Sequence, residues 1–138
     1  MLTEDQQQTL KEQACASRDR AYAPYSNFRV GASVLGASGT VYTGANIENA
    51  AYSPTICAER LAIFKAIDAG ESEIIAVAVC TENGASPCGP CRQVMREFAA
   101  GAMPVFMMDL EGNGRVKTLA ELLPDSFGPE NLQEEIGD

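Results

Sequence analysis

The sequence contains no histidine, so any metal site it builds must draw on sulfur and oxygen ligands. Basic residues are also scarce. Ten lysines and arginines stand against 19 aspartates and glutamates, a formal net charge of -9 at pH 7. That balance opposes binding to a polyphosphate backbone, which calls for clustered positive side chains, and it favours a small substrate lacking phosphate over a nucleic acid. No segment approaches the ~20 apolar residues of a membrane span, and no apolar secretory leader is read at the start. The expectation is a soluble, cytoplasmic protein with no membrane partner, whose five cysteines stay reduced and free for metal. There is no internal repeat and no low-complexity linker. With 46% hydrophobic residues, a single domain over 1–138 with one core is expected.

What the chain does have is cysteine in a pattern. Cys57 opens Cys57-Ala58-Glu59-Arg60, and Cys88 and Cys91 bracket Cys88-Gly89-Pro90-Cys91. Structural zinc sites are usually closed by four protein ligands, whereas a catalytic site keeps three and leaves one position for a water that the metal acidifies. Glu59, two residues past the first sulfur, is placed to move that water's proton. A lone CxxC also occurs in redox motifs and structural zinc ribbons. A structural site would need Cys15 or Cys80 as its fourth ligand; these read instead as small buried hydrophobes, one in mid-helix and one ending an apolar strand.

Thr3-Glu4-Asp5-Gln6 fits a capping box, and a helix is predicted from there to about Tyr22 with Leu10, Ala14 and Ala21 inward. Phe28 to Leu35 and Thr40 to Gly44 read as a hairpin pair around the turn residues Gly36-Ala37-Ser38-Gly39. Ile74 to Cys80 and Val105 to Leu110 are continuous apolar runs, as in central strands covered on both faces. Pro54 to Ala69 and Pro90 to Ala100 read as helices with starting prolines and closing glycines. A short helix follows the last strand, and the acidic tail Glu130 to Asp138 reads as a solvated or frayed end. A mixed sheet with helices on both faces follows from this order. It puts Cys57 in the first turn of one helix and Cys88 and Cys91 around the start of the next, where unpaired N–H groups and the macrodipole lower thiol pKa values.

Cys57-Ala58-Glu59-Arg60 with Pro87-Cys88-Gly89-Pro90-Cys91-Arg92-Gln93 resembles the cytidine deaminase family of zinc enzymes. Three further blocks agree in order: Tyr25 to Ala32, Gly44 to Tyr52, and Glu121 to Pro129. The resemblance implies an α/β fold, a three-layer αβα sandwich with a mixed five-stranded sheet. It implies hydrolytic deamination of cytidine and deoxycytidine to uridine and deoxyuridine, a step of pyrimidine salvage, with one zinc per subunit on Cys57, Cys88 and Cys91 and Glu59 as the catalytic proton carrier.

Three thiolates and a zinc dication sum to one negative charge, which weakens the metal as an acid for its water. Arg60 can offset this by donating to thiolate sulfur, a role the resemblance also implies; the alternative is a solvated helix arginine. Asn46 and Glu48 alternate on an extended segment, so both face one way, and the resemblance gives them the sugar hydroxyls. A turn-forming asparagine and a surface glutamate are the alternative. Phe28 reads from sequence as core, and the resemblance moves it to the base pocket. Ala58 offers backbone groups to the base, and carbonyls near Ser86 and Pro87 receive the exocyclic amine, again by resemblance. Tyr52 and Phe127 are implied to complete a neighbouring subunit's pocket in a homotetramer; Phe127 could equally clasp its own chain end. Deamination of another cytosine-containing molecule, such as an aminonucleoside antibiotic or a polynucleotide, is the rival activity, opposed by Asn46-Ile47-Glu48 and by the acidic charge. A non-catalytic zinc-stabilised module is the rival from a different class.

Overall fold

The computed structural model describes residues 2–136. Helix α1 (Glu4–Ser17) begins with the expected capping box: the Thr3 hydroxyl accepts from the Gln6 N–H, and the Gln6 side chain accepts from the Thr3 N–H. The helix ends at Ser17, short of the predicted Tyr22, and Arg18–Arg20 tighten into a 3-10 turn. The buried Ser17 hydroxyl lies 2.9 Å from the Ala14 carbonyl and 3.1 Å from that of Gly44, competing for the helix's own acceptor and tying the helix end to the sheet.

Strands β1 (Gly31–Gly36), β2 (Val41–Ala45), β3 (Ile74–Cys80), β4 (Pro104–Met108) and β5 (Gly114–Thr118) form one sheet in the order β2-β1-β3-β4-β5. Only β3 and β4 are parallel neighbours; the other pairs are antiparallel. Helices α2 (Ala58–Asp68) and α3 (Gly89–Phe98) cover one face, and α1 covers the other. The apolar runs of β3 and β4 are continuous because alternate residues serve different layers. Val77, Val79, Val105 and Met107 pack with Ile63 and Met95, whereas Ala76, Ala78, Phe106 and Met108 pack with Leu10 and Ala14. The result is the expected three-layer αβα arrangement. The short helix α4 (Leu119–Leu122) and the helix α5 (Pro129–Ile136) close the chain. Among the described residues, no helix is long and apolar enough to cross a membrane.

Several boundaries differ from the sequence reading. Residues Phe28 to Val30 form a loop, and β1 begins only at Gly31. Helix α2 starts at Ala58, so Pro54 lies outside it and Cys57 is its N-cap rather than a first-turn residue. β5 has no apolar run to announce it: its residues are exposed through Lys117, and Arg115 and Lys117 guard the sheet edge. The tail expected as a solvated or frayed end is helical to Ile136, with Asn131 and Leu132 exposed, while Gly137 and Asp138 lie outside the described residues. Cys15 and Cys80, expected as separate free thiols, are paired as a disulfide between α1 and β3, with Cα atoms 5.1 Å apart. α1 lies across β3, so a mid-helix residue and a strand-end residue come within bridging distance.

The register positions the site. Gly31 pairs with both Ala45 and Cys80, so the start of β1 and the ends of β2 and β3 finish at the same edge. The segments leaving them, before Gly31, from Asn46 to Cys57 and from Thr81 to Cys88, gather there, in the crevice beyond the carboxyl ends of strands where α/β folds bind ligands. Gly44 lets α2 approach: a Cβ there would stand 2.5 Å from the Ala58 carbonyl oxygen and 2.8 Å from the Ala62 nitrogen. Gly44→Ala is therefore expected to cost about 1–3 kcal/mol in a denaturant titration and to displace the turn carrying Cys57 and Glu59, lowering zinc retention. Gly101→Ala, whose added carbon meets only ordinary contact at 3.4 Å, is the control and should be near neutral.

Candidate active site

Cys57 and Cys88 are the N-cap residues of α2 and α3, and neither side chain caps its own helix. The sulfurs turn towards each other instead. Cys57 Sγ is 3.8 Å from Cys88 Sγ, Cys88 Sγ is 3.0 Å from Cys91 Sγ, and all three lie within 4.8 Å of one another. Cys91 is buried, Cys57 half-buried and Cys88 exposed. Thiolates bound tetrahedrally at ~2.3 Å from zinc stand roughly 3.8 Å apart, so the donor set fits that ion and the Cys57–Cys88 separation matches it, while Cys88 and Cys91 stand closer together. The neighbouring Cys91 thiol, aided by Arg60, holds the Cys57 thiol down to about 5; Cys57 in turn, with burial, pushes Cys91 up. A metal binding here displaces the proton that Cys91 retains.

Glu59 is only 5% exposed. Burial, with the Cys57 charge adding to it, pushes its carboxyl up to about 7, well suited to taking and giving a proton near neutrality. Arg60 Nη2 donates to Cys57 Sγ at 3.2 Å, while its Nε is buried with no partner among the described residues. Arg60 is thus held against the Cys57 sulfur. Its spacing of three residues from Cys57 puts the two on the same side of the helix start.

A cavity of about 310 Å³ opens beside the sulfurs and is lined by Phe28, Asn46, Glu48, Ala58 and Glu59 together with Cys57 and Cys88. The extended course of Asn46 to Glu48 is fixed on both sides: the Tyr22 N–H donates to the Asn46 carbonyl at 2.9 Å, and Ile47 and Ile56 exchange hydrogen bonds of 3.0 Å. Asn46 Oδ1 accepts from the Val30 N–H at 2.9 Å and its Nδ2 donates to the Phe28 carbonyl at 2.8 Å. Glu48 accepts from the Tyr25 and Ser26 N–H groups and from the Ser26 hydroxyl, which hold its carboxyl below the usual range. Both side chains thus brace the loop that presents Phe28. Tyr52, 74% exposed in a turn with φ 65°, and Phe127, 58% exposed, lie outside this cavity.

Sequence reasoning passed over Ser26 and Thr81, which also line the cavity. Small hydroxyl residues carry no periodic signal, although Ser26 stands within Tyr25-Ser26-Asn27-Phe28. The Pro87 carbonyl is taken by Arg92 Nε at 2.7 Å, whereas Ser86 lines the cavity. A larger groove of about 480 Å³, lined by residues such as Leu2, Ile75, Met103 and Phe106, lies away from these sulfurs and holds no comparable set of reactive groups.

Comparison with known proteins agrees with this geometry. Residues 4–107 match the family described as the cytidine and deoxycytidylate deaminase zinc-binding region. A cytidine deaminase of Sporosarcina psychrophila is 52% identical over 118 residues, covering 84% of this chain and 87% of its own. One from Halalkalibacterium halodurans is 45% identical over 132 residues, covering 94% and 99%. The crystal structure of cytidine deaminase from Burkholderia pseudomallei superimposes with a TM-score of 0.84 at 43% identity, over 91% of this chain and all of that one. With its three sulfurs and buried glutamate in place, the chain belongs to the cytidine and deoxycytidylate deaminase family.

Proposed function

We propose that this protein is a zinc-dependent hydrolase that deaminates cytidine and deoxycytidine to uridine and deoxyuridine, releasing ammonia. The observation that carries the reading is Glu59, a buried carboxyl with a raised pKa on the wall of the cavity that Cys57 and Cys88 also line. Cys57, Cys88 and Cys91 hold one zinc per subunit, which supplies Lewis-acid chemistry and lowers the pKa of a water. Glu59 does the proton work: it accepts a proton from the water and passes it to the pyrimidine ring nitrogen, then accepts the remaining proton of the added hydroxyl and delivers it to the departing amine, leaving a ring carbonyl. Water adds and ammonia leaves, so no organic cofactor is consumed. Phe28 lies against the flat base and Ala58 offers it backbone groups, while Asn46 and Glu48 use the capacity left from bracing the Phe28 loop to hold sugar hydroxyls.

A single domain over 1–138 carries this activity in the cytoplasm, in pyrimidine salvage, with no nucleic-acid partner. A reducing compartment keeps the three ligand sulfurs available. The active assembly is a homotetramer in which Tyr52 and Phe127, exposed and outside their own chain's cavity, complete the pockets of neighbours.

Three experiments test these assignments. Glu59→Gln is expected to keep about one zinc per subunit while losing roughly 10²–10⁴-fold in turnover, because the amide preserves shape and cannot shuttle a proton. Near-normal ammonia release from cytidine by that variant would remove Glu59 from its role. Arg60→Ala should cost about 10–100-fold in activity or zinc affinity and Arg60→Gln, still a donor, less; wild-type behaviour in both would return Arg60 to the surface. Inactive Glu59→Gln and inactive Phe127→Ala proteins, dissociated and reassembled together, should recover activity because mixed oligomers contain pockets with both residues intact. A fully active monomer, or no recovery despite verified mixed assembly, counts against pockets completed in trans.

A further inference from the structure

The cavity wall beside Cys88 is held by a residue that the proton chemistry does not use. Arg92 lies one position past Cys91 in α3, and its guanidinium reaches three oxygens on separate parts of the chain. Nε donates to the Pro87 carbonyl at 2.7 Å, Nη2 to the Ser86 hydroxyl at 2.8 Å, and Nη1 to the Leu122 carbonyl at the end of α4 at 2.7 Å. None of these acceptors is a carboxylate, so the group is not there to balance an acid. A planar cation forking to three neutral oxygens fixes direction as well as distance.

What it fixes is the segment entering the ligand Cys88, with Ser86 on the cavity wall. The earlier part of that loop is tied independently: the Thr81 hydroxyl accepts from the Ala85 N–H at 2.9 Å, and Arg115 Nη1 donates to the Gly84 carbonyl at 3.2 Å. Arg92 is thus the tie at the end nearest the sulfurs. Without it, Ser86 and Pro87 would be held chiefly by the chain on either side, and the Leu122 carbonyl would lose its charged donor.

We propose that Arg92 is a positioning residue for the amine-bearing edge of the substrate, acting by clamping the Ser86–Pro87 segment to the end of α4. The inference rests on the deaminase reading above. In that reading the carbon bearing the amine must face the sulfur cluster, and Ser86 and Cys88 share the cavity wall there, so loss of the clamp should harm ligands that carry the amine far more than the product, which has a carbonyl oxygen in its place.

The test uses full-length, zinc-loaded protein with Arg92→Ala, Arg92→Gln and Arg92→Lys. Measured for each are kcat and KM for cytidine, the inhibition constant of uridine, zinc content and thermal unfolding. Arg92→Ala is expected to lose about 10–100-fold in kcat/KM, as for residues that orient a site from behind it. Arg92→Lys should recover part of this by reaching some of the same oxygens. Uridine inhibition should change by less than about threefold, with zinc content unaltered, since uniform binding is preserved. Should Arg92→Ala not accumulate in folded form, Arg92→Gln and Arg92→Lys carry the same comparison. Unchanged kcat/KM, or a loss matched by uridine affinity or by zinc release, overturns the proposal. Failure of the unsubstituted protein to release ammonia from cytidine is a separate result, which defeats the deaminase reading and this inference with it.

Discussion

The meeting of two helix N-termini is the constraint on which the site depends. Cys57 and Cys88 end their loops as N-caps of α2 and α3, and Cys91 follows in the first turn of α3. Three thiolates within 4.8 Å of one another repel strongly if all are charged. Unpaired N–H groups at the two helix starts favour negative charge, and Arg60 adds a formal cation at 3.2 Å from Cys57 Sγ. Without metal Cys57 is readily ionised beside Cys91 and Arg60, and Cys91 is held protonated by the neighbouring Cys57 and by burial. The fold therefore prepares part of the charge a dication needs, and the metal's displacement of the remaining protons completes it.

Adjacent residues do opposite work there because a helix turns about 100° per residue. Glu59 enters the wall of the cavity, where desolvation raises its pKa, while Arg60 lies back along the Cys57 side and stays charged against sulfur. The three-residue steps from Cys57 to Arg60 and from Cys88 to Cys91 place each pair on one side of a helix start. The same geometry explains why Gly44 is needed: the first turn of α2 sits on β2 so closely that its carbonyl and amide groups leave no room for a methyl group.

The layers were legible in the sequence because burial on both faces leaves an unmistakable mark. β3 and β4 read as unbroken apolar runs, and the Thr3-Gln6 box marked the start of α1. β5 was not legible from pattern, since an exposed, charged edge strand has no apolar face to reveal it. The loop at Phe28 was mistaken for strand because an aromatic followed by Val30 mimics alternation; its course is set by Asn46 and Glu48, whose partners lie 16 to 23 residues away. The sulfurs and Glu59 announced themselves by spacing, whereas the Cys15–Cys80 pairing depends on how α1 crosses the sheet, which local sequence does not encode.

Apart from Ala58, Glu59 and Val79 the cavity is lined by irregular backbone, which has no ladder to hold it. Its walls are instead cross-braced by side chains that end on main-chain groups: Asn46 on Phe28 and Val30, Glu48 on Tyr25 and Ser26, Arg92 on Pro87 and Leu122. Removing such a brace costs about 1–3 kcal/mol where it strands a buried donor or acceptor, more than the net worth of the bond itself. Shape at the site is thus maintained by polar satisfaction, while the packed sheet beneath supplies the bulk of the stability. A substitution in the braces can consequently move the pocket walls and leave the fold standing, and the selectivity of this site should be altered more easily there than in the core.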